Sequence, residues 1–324
     1  MTTLAQICMG IHIREGRWSS SGDEWHLIVN SAGADVLNKT VSYTHLGAGT
    51  GQIVTVGPDA RQFPPGGFAR VYIFGERVLT GTPLFSDQVS AQFAVETALL
   101  EASSLRFGIH GRDLIRPRHV LLWGYDAAMA VVPLALDVDL SAEVSEDESE
   151  GPSSIALTLV DSGSDSTPLN EVMLYVELTS DRNAGTHQPA SFSVEDADGA
   201  ILFQSDLEDF QQLEPDTRSG VTWSDGADSR NAMIWRLADT SPAFSRVDSQ
   251  GRPVVVKLSV TGADDAMIQA VVAFGVNRSG ARPAVVPLVH HFPALANTNP
   301  WLGTHHSPAG RDMVLPLCPA ASRQ

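Results

Sequence analysis

Four of the ten histidines lie in one stretch, "VHHFPALANTNPWLGTHH" (289–306), as the adjacent pairs His290-His291 and His305-His306. Imidazole is a frequent metal ligand and acid–base group, so chemistry is sought here first. Zinc takes three or four donors at one point, whereas neighbouring residues of an extended strand point to opposite faces. The stretch can therefore supply one histidine from each pair, completed by a carboxylate such as Asp312 or by water. Pro293, Pro300 and Pro308 stiffen the backbone that would hold such a site. In the competing arrangement Phe292 and Trp301 anchor a loop to the core and the imidazoles are solvated.

Carboxylates offer a second chemistry. Calcium takes about six to eight oxygens, usually gathered from loops. Asp181, Asp196, Asp198, Asp225 and Asp228 stand in loop-like parts of the C-terminal half and are its candidate ligands. For two of them a structural role competes, because "FSVEDADGAILF" has the form of a tight hairpin whose turn is Asp-Gly. Asp113 and Asp264 each follow a glycine by two positions, a place where Asp caps backbone amides.

Other chemistries lack their residues. There is no Gly-x-Ser-x-Gly and no His-Glu-x-x-His. The glycine-rich "THLGAGTGQIVTV" (44–56) runs into a strand-like "QIVTV" instead of the helix that a dinucleotide loop needs, so it reads as a hairpin connection. Lys39 and Lys257 are the two lysines, which leaves P-loop and Schiff-base chemistry almost without candidates. A formal charge of −17, from 21 basic and 38 acidic residues, argues against nucleic acid.

Cys8 and Cys318 are expected to be free thiols in a reducing compartment. "MTTLAQICMGIHIREG" lacks the pattern of a signal peptide, and no apolar run approaches the ~18 residues of a membrane span. The expectation is a soluble cytoplasmic protein, or cargo exported by a route that leaves no such signal.

The elements that must position these residues are strands. Apolar residues alternate at Val172, Leu174, Val176 and Leu178 and at Val254, Val256, Leu258 and Val260, as in strands with one buried face. Turn signals separate the strands: "GAGTG" (47–51), "PPGG" (64–67), "DADG" (196–199) and "SQGRP" (249–253). The segment "SAQFAVETALLEASS" (90–104) has helix-forming residues, but its alternation favours strand.

The chain also repeats itself. Gly111-x-Asp113, then ten residues, then Gly124 recurs as Gly262-x-Asp264, ten residues, Gly275. "HVLLWG" answers "AVVAFG", Val131 to Leu134 and Val285 to Leu288 are both Val-Val-Pro-Leu, and "EGPSSIALTL" answers "AGRDMVLPL". The prediction is all-β: two tandem, duplicated antiparallel β-sandwich domains at 1–163 and 164–324, joined through "LVDSGSDSTPL" (159–169). The acidic run "SAEVSEDESEG" (141–151) reads as a solvated loop.

Within "LNEVMLYVELTSDRNAGTHQPASFSVEDADGA" (169–200), an alternating strand leads to Thr179-Ser180-Asp181, then Ala184-Gly185-Thr186, then the alternating Ser191 to Val194. This stretch resembles the first hairpin of PLAT (lipoxygenase-homology) domains. His187 stands where that family usually has an acidic residue, and the first half has only "GADVLNKTVSYTHL" in the corresponding place. The resemblance implies an eight-stranded antiparallel sandwich that targets a membrane or a protein partner, often with calcium, and does not catalyse.

The expected function is a non-catalytic binding protein whose sandwich loops meet a protein partner, with membrane lipid or glycan as other ligands and calcium as an aid. A metal-dependent enzyme, with zinc on the C-terminal histidines, and a structural assembly subunit are the alternatives. Negative charge disfavours an anionic membrane unless calcium bridges, which places a protein partner first.

Overall fold

The computed structural model describes residues 3–13, 24–31, 34–41, 51–56, 95–96, 105–112, 114, 116–126, 130–179, 185–208, 210–212, 232–238, 242–262, 264–291, 300–304 and 311–318; before residue 105 this means backbone alone, Leu4 excepted. The fold is all-β, with one short 3-10 turn at Phe210–Gln212 among the described residues. None of them belongs to a helix long and apolar enough to cross a membrane. The strands divide between two compact units, one running to Val160 and the other beginning at Asp161.

The first unit holds β1 (Thr3–Ile13), β2 (Glu24–Ser31), β3 (Ala34–Val41), β4 (Gly51–Val56), β5 (Val95–Glu96), β6 (Leu105–His110), β7 (Pro117–Asp126), β8 (Val131–Asp137) and β9 (Ser154–Ala156). One sheet has the order β4-β1-β7-β8, with β5 also on β1, and the other has the order β3-β2-β6-β9.

The second unit holds β10 (Asp161–Ser162), β11 (Glu171–Leu178), β12 (Ala190–Glu195), β13 (Ile201–Leu207), β14 (Ala232–Ala238), β15 (Val255–Val260), β16 (Ala266–Asn277), β17 (Ala284–His291), β18 (Trp301–Leu302) and β19 (Asp312–Leu315). Its sheets run β10-β17-β16-β11-β14, with β18 also on β16, and β13-β12-β15-β19. One core takes residues from both sheets, including Leu174, Val176, Val271 and Ala273 from the first and Phe192, Val194, Val256 and Leu258 from the second. That is a sandwich-like arrangement.

The connectivities correspond strand for strand: β4-β1-β7-β8 matches β14-β11-β16-β17, and β3-β2-β6-β9 matches β13-β12-β15-β19. The match extends to irregularities. A register shift separates Leu122 from Trp123, which face Ala135 and Pro133, and another separates Ala273 from Phe274, which face Val289 and Pro287. Proline cannot donate to a ladder and is tolerated at bulges, which accounts for the proline of each Val-Val-Pro-Leu tetrad. The correspondence is compatible with the internal repeat.

Burial differs between the sheets. β15 alternates as expected, with every second residue buried. β11 does not: besides Val172, Leu174 and Val176, its Met173, Tyr175 and Glu177 are 1%, 2% and 3% exposed. The neighbouring β16 is also buried on both faces from Ala270 to Val276, and β7 from His119 to Tyr125. Two-sided burial explains the continuous apolar runs "HVLLWG" and "AVVAFG", and it corrects the reading of 172–178 as a strand with one solvated face.

The acidic run is likewise not a free solvated loop. Val144 and Ser145 are fully buried. Glu143 pairs with Arg116 at 2.7 Å, and a Glu146 carboxylate oxygen accepts the Gly111 amide at 2.9 Å. Glu148 and Glu150 remain exposed.

Candidate functional site

Among the described residues, Asp264 stands near one end of β12 in the second unit, and Asp196 and Asp198 stand at its other end. At one end, β11 leads into residues 179–189 and β15 into 261–265. The pairing of Ala190 with Val260 sets these connections side by side. The Asp264 carboxylate accepts the Thr186 hydroxyl at 3.3 Å, the His187 amide at 3.1 Å and the Asp265 amide at 3.1 Å. These bonds, the His187 amide first, hold Asp264 below the ordinary carboxylate range. The Thr186 hydroxyl also accepts the Gln188 amide at 3.2 Å. Asp264 thus performs the amide-capping role expected from its spacing, and it fixes the part of the Ala-Gly-Thr segment that is described. His187 projects into solvent.

Beside this cluster β18 pairs with the start of β16, Leu302 opposite Ala266 and Trp301 opposite Met267. Leu302 is fully buried and Trp301 half-buried. This favours the anchoring role for Trp301; Phe292 lies outside the described residues.

At the other end stand two turns of one design. Asp196 accepts the amides of Asp198 and Ala200 through Oδ1, at 2.9 and 2.8 Å. Asp248 accepts those of Gln250 and Arg252, at 2.8 and 2.9 Å. Each turn has glycine fourth, Gly199 at φ 86° and Gly251 at φ 76°, in the left-handed region where a side chain is strained. Arg252 fastens the turns together, bidentate to Asp198 at 3.0 and 2.6 Å and bonded through Nε to Asp248 at 2.7 Å. The guanidinium depresses the Asp198 pKa, and the carboxylates push that of Arg252 up. Asp196 and Asp198 are therefore committed to a hairpin turn and an arginine, and the guanidinium lies where a calcium ion would have to neutralise Asp198. Asp181, Asp225 and Asp228 lie outside the described residues.

The first histidine pair continues β17, as expected. His290 faces Val272 and His291 faces Val271, on opposite sides of the sheet. His290 packs edge-on against Phe274 with ring centroids 5.3 Å apart, and burial lowers its pKa to about 3. His291 is also lowered by burial. His305 and His306 lie outside the described residues. Asp312 is exposed at the start of β19, opposite Ser259 in the other sheet. Among the described residues no three His, Cys, Asp or Glu side chains are placed to hold a metal ion.

Several polar groups that stand out in three dimensions are not singled out by sequence. The Glu171 carboxylate, 5% exposed, is held by Arg236 and Arg278, each at 2.9 Å. Tyr175 donates to Glu177 at 2.9 Å on the second face of β11. Arg246, 7% exposed, pairs with Asp165 at 3.1 Å and donates to the Cys318 carbonyl. Long-range ion pairs of this kind carry no local signature; an unusual charge inside an apolar run, as at Glu171 and Glu177, is the one available hint. A scan against protein-family models and searches of curated proteins and of solved structures return no match.

Proposed function

We propose that the chain is a non-catalytic binding protein that presents the loop ends of β-sandwich domains to a protein partner. The observation that carries this reading is the twin-turn clamp of Asp196, Asp198, Asp248 and Arg252. Its carboxylates hold amides and a guanidinium, so the loops are rigid before any ligand arrives. Preformed loops lower the ordering cost of recognition. A catalytic carboxylate or imidazole needs an unsatisfied reactive atom facing a cleft. The resemblance of 169–200 to a PLAT hairpin agrees with the same reading, and Asp264 fastens the described part of that segment through Thr186 and the His187 amide.

The test is affinity capture on the immobilised full chain, with vesicles of phosphatidylcholine and phosphatidylserine, in calcium and in EGTA, as the lipid arm. A protein held by the wild type and lost with Arg252→Ala, at unchanged circular dichroism, is the expected result. Metal-dependent turnover of ester, phosphoester or glycoside substrates, with no protein captured, sinks the reading. Calcium-dependent retention of vesicles transfers it from a protein to a membrane.

A further inference from the structure

The sheet β13-β12-β15-β19 has one face in the core and one that reaches solvent. Phe192, Val194, Val256, Leu258, Met313 and Leu315 take the core face. The residues between them share the other, because side chains alternate along a strand and residues paired across a ladder point the same way. β11 and much of β16, in the companion sheet, are instead buried on both faces.

The outer face carries an apolar strip. Ile201 and Val314, at 59% and 60%, are the large hydrophobic residues left exposed among the described residues. One such residue alone is ordinary, but both lie on this face. Ile201 pairs with Glu195, Glu195 with Val255, and Val314 with Lys257. Lys257 Nζ donates to Glu195 at 2.6 Å, so the two charges between the apolar residues cancel. The strip from Ile201 through Val255 to Val314 is therefore neutral in a chain of formal charge −17. Beside it runs a row of a different kind. Two residues along the strands, Asp206, Ser191, Ser259 and Asp312 pair in sequence across all four strands. Both aspartates are exposed, and neither has an ion-pair partner among the described residues. Three strand spacings separate them, about 14 Å, too far to share one cation.

This face is continuous with the clamped turns. Ile201 directly follows the turn in which Asp196 caps the Ala200 amide, and Val255 follows Arg252 by three positions. The strand ends that carry the apolar strip are thus held in place by Asp196, Asp248 and Arg252, and a surface held in this way is presented at low ordering cost. Its charge selects the occupant. A second copy brings a further −17 and is repelled, whereas cationic side chains complement Asp206 and Asp312.

We propose that the outer face of β13-β12-β15-β19 is the docking surface for a basic protein partner. Apolar side chains of the partner cover Ile201, Val255 and Val314, and two of its Lys or Arg side chains meet Asp206 and Asp312. In an extended segment, positions i and i+4 lie about 13 Å apart on one side, so one segment laid across the four strands reaches both carboxylates. The neutral Lys257–Glu195 pair lets the apolar contact form without burying an unpaired charge. The proposal rests on the binding-protein reading and gives it a surface and a partner chemistry.

A display library of random peptides is selected on the immobilised full chain, and the recovered peptides are synthesised and titrated by calorimetry. The expected binders carry two Lys or Arg at i and i+4 with apolar residues beside them. Their affinity falls about tenfold in an Asp206→Asn, Asp312→Asn chain and about tenfold in an Ile201→Ser, Val314→Ser chain, at unchanged circular dichroism. Glu148→Gln with Glu150→Gln removes the same charge from exposed positions of the first unit and changes affinity by less than about twofold. Binders without a basic pair, full affinity for either face variant, an equal loss in the Glu148 and Glu150 control, or no binder at all overturns the proposal. Peptides lost with Arg252→Ala but indifferent to both face variants refute this face and leave the binding reading standing. Metal-dependent turnover by a chain that holds no peptide removes both.

Discussion

His290 lies against Phe274 with a pKa of about 3, so it is neutral at physiological pH and contributes a pH dependence to stability. Its folded pKa is below the ordinary value of about 6.5, so the unfolded chain takes up the proton first as pH falls. The stability this group contributes is therefore fully present above about pH 6.5 and is lost as pH falls toward 3. Urea unfolding at several pH values should show a shallower acid loss in His290→Phe; an unchanged slope removes the assignment. Asp198, Asp248 and Asp264, all held low, add their losses only at lower pH, within the carboxylate range. Cys318 gives a chemical readout. Burial raises its thiol to about 12, against the pull of Arg246. In a Cys8→Ser chain it should fail to react with a disulfide reagent at pH 8 until denaturant is added, whereas a thiol at an ordinary ~8.5 would react in the folded state.

At the scale of elements, β11 distinguishes a sandwich strand with one wet face from one buried on both. Met173 is 1% exposed on the face opposite Leu174. Met173→Ala should therefore cost about 2–4 kcal/mol in chemical denaturation. A solvated outer face would make it nearly neutral, as Ser191→Ala on β12 should be. The sequence pattern of 171–178 does not reveal this, because Glu, Met, Tyr and Glu alternate with valine and leucine as they would on a half-exposed strand. In β7 and β16 two-sided burial is legible, since both faces are apolar. The site divides the same way. The Asp196 turn is readable from "DADG", where cap and glycine are local. The clamp of Asp198 by Arg252 spans 54 residues and that of Glu171 by Arg278 spans 107, so composition and spacing do not announce them. The opposite faces of His290 and His291 follow from strand geometry alone. For Arg252, hydrogen exchange is the sensitive measurement: Arg252→Ala should speed exchange at the Ala200 and Gln250 amides while strand amides stay protected. Equal exchange in both proteins would mean that the turns hold without the clamp.

For the whole molecule, net charge sets how recognition responds to salt. A formal charge of −17 makes two copies repel. The screening length falls from about 30 Å at 0.01 M salt to about 8 Å at 0.15 M, so this repulsion weakens steeply over that range. Any contact between copies that is made of apolar surface, with no ion pairs, should therefore strengthen with salt. A basic protein drawn to the acidic surface should bind more slowly and more weakly as salt rises. Binding kinetics of a captured partner across this range should show association slowing and affinity falling as salt rises. Binding that strengthens with salt would exclude the acidic surface as the place of recognition. The same titration by sedimentation on the chain alone separates self-association through apolar surface, which rises with salt, from association through ion pairs, which falls.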